Sequence, residues 1–449
     1  MAEDYKTKSF WLAHSGDYRE NPPFDGDLKC DVVVVGGGFC GIATAFFLKK
    51  AEPSLSVVVL ESEVVGFGAS GRNAGFAMTT FGLMMSITKA IFGLERTRQS
   101  HRYMERAVDI VGELVAEYKL DCDYERTGFL RMATTPAYVK RIKHEVELVK
   151  SLGLEDIDWI DADEARARVN SELYLGAWWE PRCALVNPAK LAREMKRVAV
   201  KYGAKVYERT PVEEISRESG VYKVKTPKGT VTASKLVLAT NAYSIQVPLL
   251  RRKQVPVWTY IVLTEPLTRE QLKPIGWKKR EGVEDYRNLV HYYRLTPDNR
   301  LLMGGRDINI TYGINMEKDY DEGIFTALEH DIIDLFPSLK GVKIVDHWGG
   351  PVSVPIDMVP ALGYLGDKSA VYSLGCMGHG VSLAHLNGHV LADLLLENKT
   401  EWTECFPVNR HTIGWPPEPV RYVVSQAILG YLHAEDAWLE RKGLGARKS

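Results

Sequence analysis

Three glycines and a glutamate carry the first chemistry in the chain. Residues 36–41 read Gly36-Gly37-Gly38-Phe39-Cys40-Gly41, a G-x-G-x-x-G pattern, and Glu61 follows twenty residues after Gly41. Gly36 permits a tight turn, Gly38 lets backbone approach a pyrophosphate, and Gly41 lets a helix pack closely on a strand. The free N–H groups of the first helical turn, at Phe39 and Cys40, then face the phosphates together with the positive end of the helix dipole. Glu61, with Ser62 beside it, is placed to accept hydrogen bonds from a ribose 2′-hydroxyl, which argues against a 2′-phosphate.

Those groups need elements to hold them. The apolar run Val32–Val35 predicts a strand buried on both faces of a parallel sheet. A helix follows from Ile42 to Lys50, before Pro53, and a second strand runs from Val57 to Leu60. Among 38 glycines a bare G-x-G-x-x-G carries little weight. With strand, turn, helix, strand and acid in register, it predicts dinucleotide binding. The loop after Glu61 contains Ser70, Gly71, Arg72, Asn73, Ala74 and Gly75. A nicotinamide domain would continue into another element here, whereas a loop of small residues suits backbone passing close to a flat ring, as a flavin requires. Two later segments fit the same group. A buried strand, Lys235–Leu238, closes in Ala239, Thr240 and Asn241. It follows a β-meander predicted over Thr210–Ile215 (with Val212), Val221–Thr226 and Gly229–Thr232. Another strand, Val371–Leu374, leads to Gly378-His379-Gly380-Val381 and a helix over 382–396. That second helix N-terminus would stabilise negative charge at the edge of a reduced ring.

These segments resemble the D-amino-acid-oxidase-like family of FAD enzymes, which includes glycine and sarcosine oxidases, and within it the gamma-glutamylputrescine oxidase branch. The matching residues are Cys30-Asp31-Val32, the glycine turn, Gly66 to Gly75, Asp121 to Tyr124, Tyr292 to Thr296, Asn299 to Leu302, and Gly378 to Val381. The resemblance implies an α/β fold, α+β overall. A Rossmann-type FAD-binding domain (28–100, 155–245 and 345–400) is interleaved with a substrate domain built on an antiparallel sheet (101–154 and 246–344). It implies non-covalent FAD, because Asn73 stands where some members carry an attachment histidine and residues 350–363 hold no cysteine. It also implies hydride transfer from an amine or amino acid, an imine that hydrolyses to a carbonyl compound, and oxygen as acceptor. A 2-hydroxy-acid dehydrogenase and a non-catalytic flavin protein stay open as alternatives. Tyr260, Tyr292 and Tyr293 are candidate pocket walls, Arg294 and Arg306 candidate carboxylate anchors, and Trp348 a candidate wall. His379 is placed at the flavin edge. The chain departs from the sarcosine-type pattern at Ser382, where a carboxylate-binding lysine is expected. It also has no lysine near Leu302 or Met303 for oxygen activation, so the acceptor stays open.

Composition bounds the rest. The 449 residues are 45% apolar and 26% charged, with a net charge of −1, which excludes disorder and disfavours nucleic acid as a partner. Six scattered cysteines without a CxxC pair indicate neither zinc site nor disulfide framework, and predict a cytoplasmic protein. No apolar run is long enough to span a membrane. Residues 1–27 read as an arm lying on the surface, with Phe10 and Trp11 packing inward. Residues 401–449 form a tail whose Val420, Val423, Val424, Ala427, Ile428, Tyr431 and Leu432 predict an amphipathic helix. That helix either docks on the body or makes a subunit or membrane-surface contact.

Overall fold

The computed structural model describes residues 4–154 and 156–447. The first three residues of the expected arm, Glu155 and the last two residues of the tail lie outside that range. The strand Leu28–Val35 lies between Gly229–Leu238 and Val57–Leu60, parallel to both, with Val34 opposite Val237 and Val59. Beyond them the sheet continues to Asp367–Leu374 and Ala361–Leu365 on one side and to Lys205–Tyr207 on the other. Alternation along the central strands sorts their side chains between two cores. Val32, Val34, Val57 and Val59 pack with the helices, whereas Val33, Val35, Val58 and Leu60 pack with Tyr222 and Val224 of the meander. The first helix, Phe39–Ala51, is crossed by Gly380–Leu395. Gly388 makes that crossing close: a Cβ there would stand 2.6 Å from Ala43 Cβ and 2.9 Å from Cys40 O.

The second sheet has eight strands in the order Ile344–Val354, Val255–Pro266, Arg300–Ile310, His291–Leu295, Gly282–Asp285, Phe129–Met132, Gly176–Glu180 and Asp158–Asp161. Its neighbours are antiparallel except Gly282–Asp285 with Phe129–Met132. The chain passes between the two sheets more often than expected. Asp158–Asp161, Gly176–Glu180 and Ile344–Val354 fall in or at the edge of segments expected in the FAD domain, yet all three are hydrogen-bonded into the second sheet. Conversely, the helix Leu94–Tyr118, expected largely in the substrate domain, packs on Gly380–Leu395, where Tyr103 donates to Asn387 Oδ1 at 2.8 Å. A strand's apolar pattern says that it is half-buried, not which sheet buries it.

Both ends of the chain dock. Trp11 and Leu12 are buried, Ser9 donates to Gly71 O at 2.6 Å, and Trp11 Nε1 donates to Asn73 O at 3.0 Å. The arm therefore braces the loop expected to meet the flavin. The C-terminal helix, Val420–Arg447, is held on the substrate sheet by Asp436, which accepts from the N–H groups of Asn288 and Leu289 at 3.0 Å. The inward face is not the one that apolarity alone predicts. Arg421, Ser425, Asp436 and Leu439 are buried, whereas Val420, Val423, Ile428 and Tyr431 are exposed. Paired polar groups dock this helix as much as apolar ones do. No helix among the described residues is long and apolar enough to cross a membrane.

Candidate active site

At the glycine turn, Gly36 has φ +108°, and a Cβ there would lie 2.7 Å from Ala239 O. A Cβ at Gly41 would meet Gly36 O at 1.9 Å, so only glycine allows helix and strand to approach this way. The helix begins at Gly38 without a side-chain cap, but Ser70 Oγ accepts from Phe39 N–H at 3.0 Å. The other N–H groups of the first turn have no partner within the helix itself. Glu61 Oε2 accepts from Gly37 N–H at 2.6 Å, and Oε1 accepts from Glu63 N–H at 3.0 Å and the Ser62 hydroxyl at 3.3 Å. Burial pushes the Glu61 carboxyl above its ordinary range. Thr210 N–H donates to Glu61 O at 2.8 Å, and Val212 packs against the sheet beyond it. Across the turn, Thr240 bonds Ser244 at 2.8 Å, and Asn241 Nδ2 donates to Cys376 Sγ at 3.4 Å. Burial raises the Cys40 thiol to about 11, leaving it protonated.

The following loop is rigidly tied. Asn73 Nδ2 donates to Ala69 O at 2.9 Å, and its Oδ1 accepts from Gly75 N–H at 2.8 Å. Arg72 is buried, donates to Phe67 O at 2.8 Å, and lies 4.7 Å from the Phe67 ring. Arg294 from the second sheet closes on the loop, donating to Val186 O at 2.7 Å and to the carbonyls of Ala74 and Gly75 at 3.3 Å.

A cavity of about 550 Å³ opens between this loop, the turn at Gly378 and the second sheet. From the first domain it is lined by Arg72, Asn73, Ala74, Gly378, His379 and Val381, and from the second sheet by Tyr292. His379 Nδ1 is buried without a hydrogen-bond partner, and burial near Arg131 pushes the imidazole down to about 3. The His379 ring is therefore neutral at physiological pH.

The remaining substrate-side candidates are not in the cavity wall. Tyr260 donates to Lys318 O at 2.8 Å within the core. Tyr293 bonds the Tyr174 hydroxyl at 2.6 Å beside Trp277 and Phe336. Arg294 is fully buried on backbone carbonyls, and so it ties the domains together instead of anchoring a carboxylate. Alternate residues of a strand face opposite sides, so Tyr292 reaches the cavity while its neighbour Tyr293 faces the core. Arg306 is paired with Asp331, and buried Trp348 donates to Arg72 O at 2.8 Å. Ser382 is buried and donates to Met78 O at 2.8 Å. Sequence reasoning missed Arg131, Trp178, Glu284 and Tyr286, which line the cavity from the second sheet and the turn after its strand Gly282–Asp285. The alternation of polar and apolar residues in GFLRM and GVED is too short to show which face they share.

Residues 31–394 match the family described as DAO, FAD dependent oxidoreductase. The chain belongs to this family of FAD-dependent oxidoreductases. Gamma-glutamylputrescine oxidoreductase of Escherichia coli (strain K12) is 33% identical over 392 residues, covering 87% of this chain and 89% of that protein. Glycine oxidase of Bacillus licheniformis is 27% identical over 392 residues, covering 85% and 98%. The crystal structure of glycine oxidase from Geobacillus kaustophilus superposes with a TM-score of 0.72 at 23% identity, covering 86% of this chain and 100% of that one. The residues present fit the family's cofactor. The cradle at Gly36 and Gly41 leaves no room for a Cβ, the first helix begins without a side-chain cap, and the cavity-lining His379 holds a buried ring nitrogen without a partner among the described residues.

Proposed function

We propose that this FAD-dependent oxidoreductase acts on an amine whose reacting nitrogen is separated from a second polar end. FAD is held non-covalently, with the pyrophosphate on the turn Gly36–Gly41, the ribose at Glu61 and the ring between Asn73–Gly75 and Gly378–Val381. Bound FAD supplies a ring that takes a hydride from the carbon beside the nitrogen. The observation that carries the proposal is the single cavity in which the flavin-side His379 and the substrate-side Tyr292, Arg131 and Glu284 all take part. Those residues orient the amine and exclude water. The neutral His379 adds no positive charge that would repel a protonated amine as it arrives. The oxidised amine is an imine, which adds water and releases a carbonyl compound. With no lysine at Ser382, a small N-methyl amino acid lacks that anchor, which favours a longer substrate. Oxygen is the proposed acceptor. Six free cysteines support a cytoplasmic setting.

Acid precipitation should release intact FAD into the supernatant; flavin retained in the pellet would contradict non-covalent binding. An anaerobic screen should then show flavin bleaching with primary or secondary amines and none with 2-hydroxy acids. Bleaching only by hydroxy acids would overturn the proposal.

A further inference from the structure

We infer that the C-terminal helix is a lid, clasped shut through its acidic half, and that its release admits the amine to the cavity; this last step rests on the amine-oxidation proposal. The helix Val420–Arg447 has a covering stretch and a fastened one. Ser425, Ile428, Leu429 and Leu432 line the outer cavity, together with Met84, Met85 and Ile87 of the body. Among the described residues no hydrogen bond or ion pair joins the side chains of 426–432 to the body, so this stretch covers the cavity without being tied there.

The tie comes about one turn later, and it is ionic. Glu435 accepts from Arg141 Nη2 at 2.6 Å and from Asn288 Nδ2 at 2.9 Å. Asp436 accepts from the backbone N–H groups of Asn288 and Leu289 at 3.0 Å, and Glu440 accepts from Arg287 Nε. His433 Nε2 lies 3.1 Å from Asp307 Oδ1. Among the described side chains of the helix, Leu439 is the one apolar group that is buried. Part-exposed ion pairs such as those of Arg141 and Arg287 are weak and screened by salt, and water solvates each carboxylate that leaves. Release therefore uncovers little apolar surface. The body's half of the clasp is itself cavity wall, since Arg287, Asn288 and Leu289 line the cavity just before the strand that carries Tyr292. Undoing the clasp thus opens the cavity beside Tyr292. At the other end Arg421 donates to Gly313 O at 2.6 Å and Glu418 accepts from Gly313 N–H at 2.9 Å, which makes that end the hinge.

The amides of Asn288 and Leu289 report the clasp, because Asp436 is the group that holds them. Hydrogen–deuterium exchange of the FAD-loaded full chain follows them, with the strand Leu28–Val35 as the gauge of global unfolding. In wild type, raising sodium chloride from about 0.05 M to about 0.5 M should speed exchange at Asn288 and Leu289 roughly tenfold and leave the strand unchanged. Glu435→Gln/Glu440→Gln should reach the fast rate at low salt and respond little to more. Glu397→Gln, which breaks an exposed pair with Lys368 in the first domain, should behave as wild type. With an amine that bleaches the flavin, the second-order rate of reduction at low salt should rise roughly threefold in the double variant. Removing two carboxylates by itself slows the arrival of a cation, so a rise identifies opening. Exchange in wild type that ignores salt, or that moves only with the central strand, would make the helix a fixed wall and overturn the lid. Faster exchange in the double variant with unchanged or slower reduction would also overturn it. Salt-dependent exchange in a protein that no amine reduces would uphold the clasp and reject amine oxidation.

Discussion

At the residue scale, the side chains that matter are defined by what they already hold. Glu61 is bonded to Gly37 N–H and Glu63 N–H, so its carboxylate shapes the turn beside the proposed ribose site. Glu61→Ala should weaken FAD binding by about 1–3 kcal/mol, the scale of a lost charged hydrogen bond, with the fold retained. A fluorescence titration of apoprotein with FAD measures it, and an unchanged Kd would remove Glu61 from the ribose. Buried histidines make a second prediction. Burial pushes His101 and His385 down to about 4, from an ordinary value of 6.5. Below pH 6.5 the unfolded chain takes up protons that these folded imidazoles refuse. Stability is therefore full above that pH and falls as pH drops towards 4, by about 1.4 kcal/mol per pH unit for each histidine. Urea unfolding at pH 7 and pH 5 should show the loss, and His385→Asn should reduce it by that histidine's share, leaving the part due to His101 and His379. An equal slope in that variant would contradict the assignment. The glycine turn was legible in sequence because each of its glycines has one geometric job at a fixed spacing, whereas the bonds of Glu61 to the turn itself were not. Arg131 and Arg294 were not legible either, because nothing in the spacing of an arginine says whether it lines a cavity or meets a carbonyl.

At the element scale, the cofactor groove depends on two helices whose N-termini are held in place by their crossing. Gly388 has 2.6 Å to Ala43 Cβ where its own Cβ would be, with Cys40 O and Thr44 N at 2.9 Å. Backbone atoms cannot give way as a flexible side chain would. Gly388→Ala should therefore separate the helices and cost about 1–3 kcal/mol, the scale of overpacking. It should also weaken FAD binding, since it moves the turn at Cys40. Thermal unfolding and an FAD titration together check this; a lowered Tm with unchanged FAD affinity would confine the effect to packing. The elements themselves were readable: the strand Val57–Leu60 and the start of the last helix at Val420 both fall where apolar pattern places them. Their partners were not. Gly176–Glu180 and Ile344–Val354 look the same in sequence whichever sheet accepts them, and only long-range register decides.

At the scale of the whole molecule, both chain ends converge on the site. The N-terminal arm braces the loop at Gly71 and Asn73, and Ser425, Ile428, Leu429 and Leu432 of the C-terminal helix line the outer cavity. Two domains and the C-terminal helix thus line one cavity, which the proposed function makes the meeting place of a flavin ring and a substrate. On the proposed function, this cavity oxidises a carbon–nitrogen bond. A single anaerobic turnover tests it most directly: FAD-loaded protein is mixed with one equivalent of a γ-glutamyl-linked amine, and flavin bleaching and carbonyl product are both measured. One carbonyl formed for each flavin reduced is the predicted result. Bleaching without carbonyl, or a flavin that no amine reduces, would contradict it.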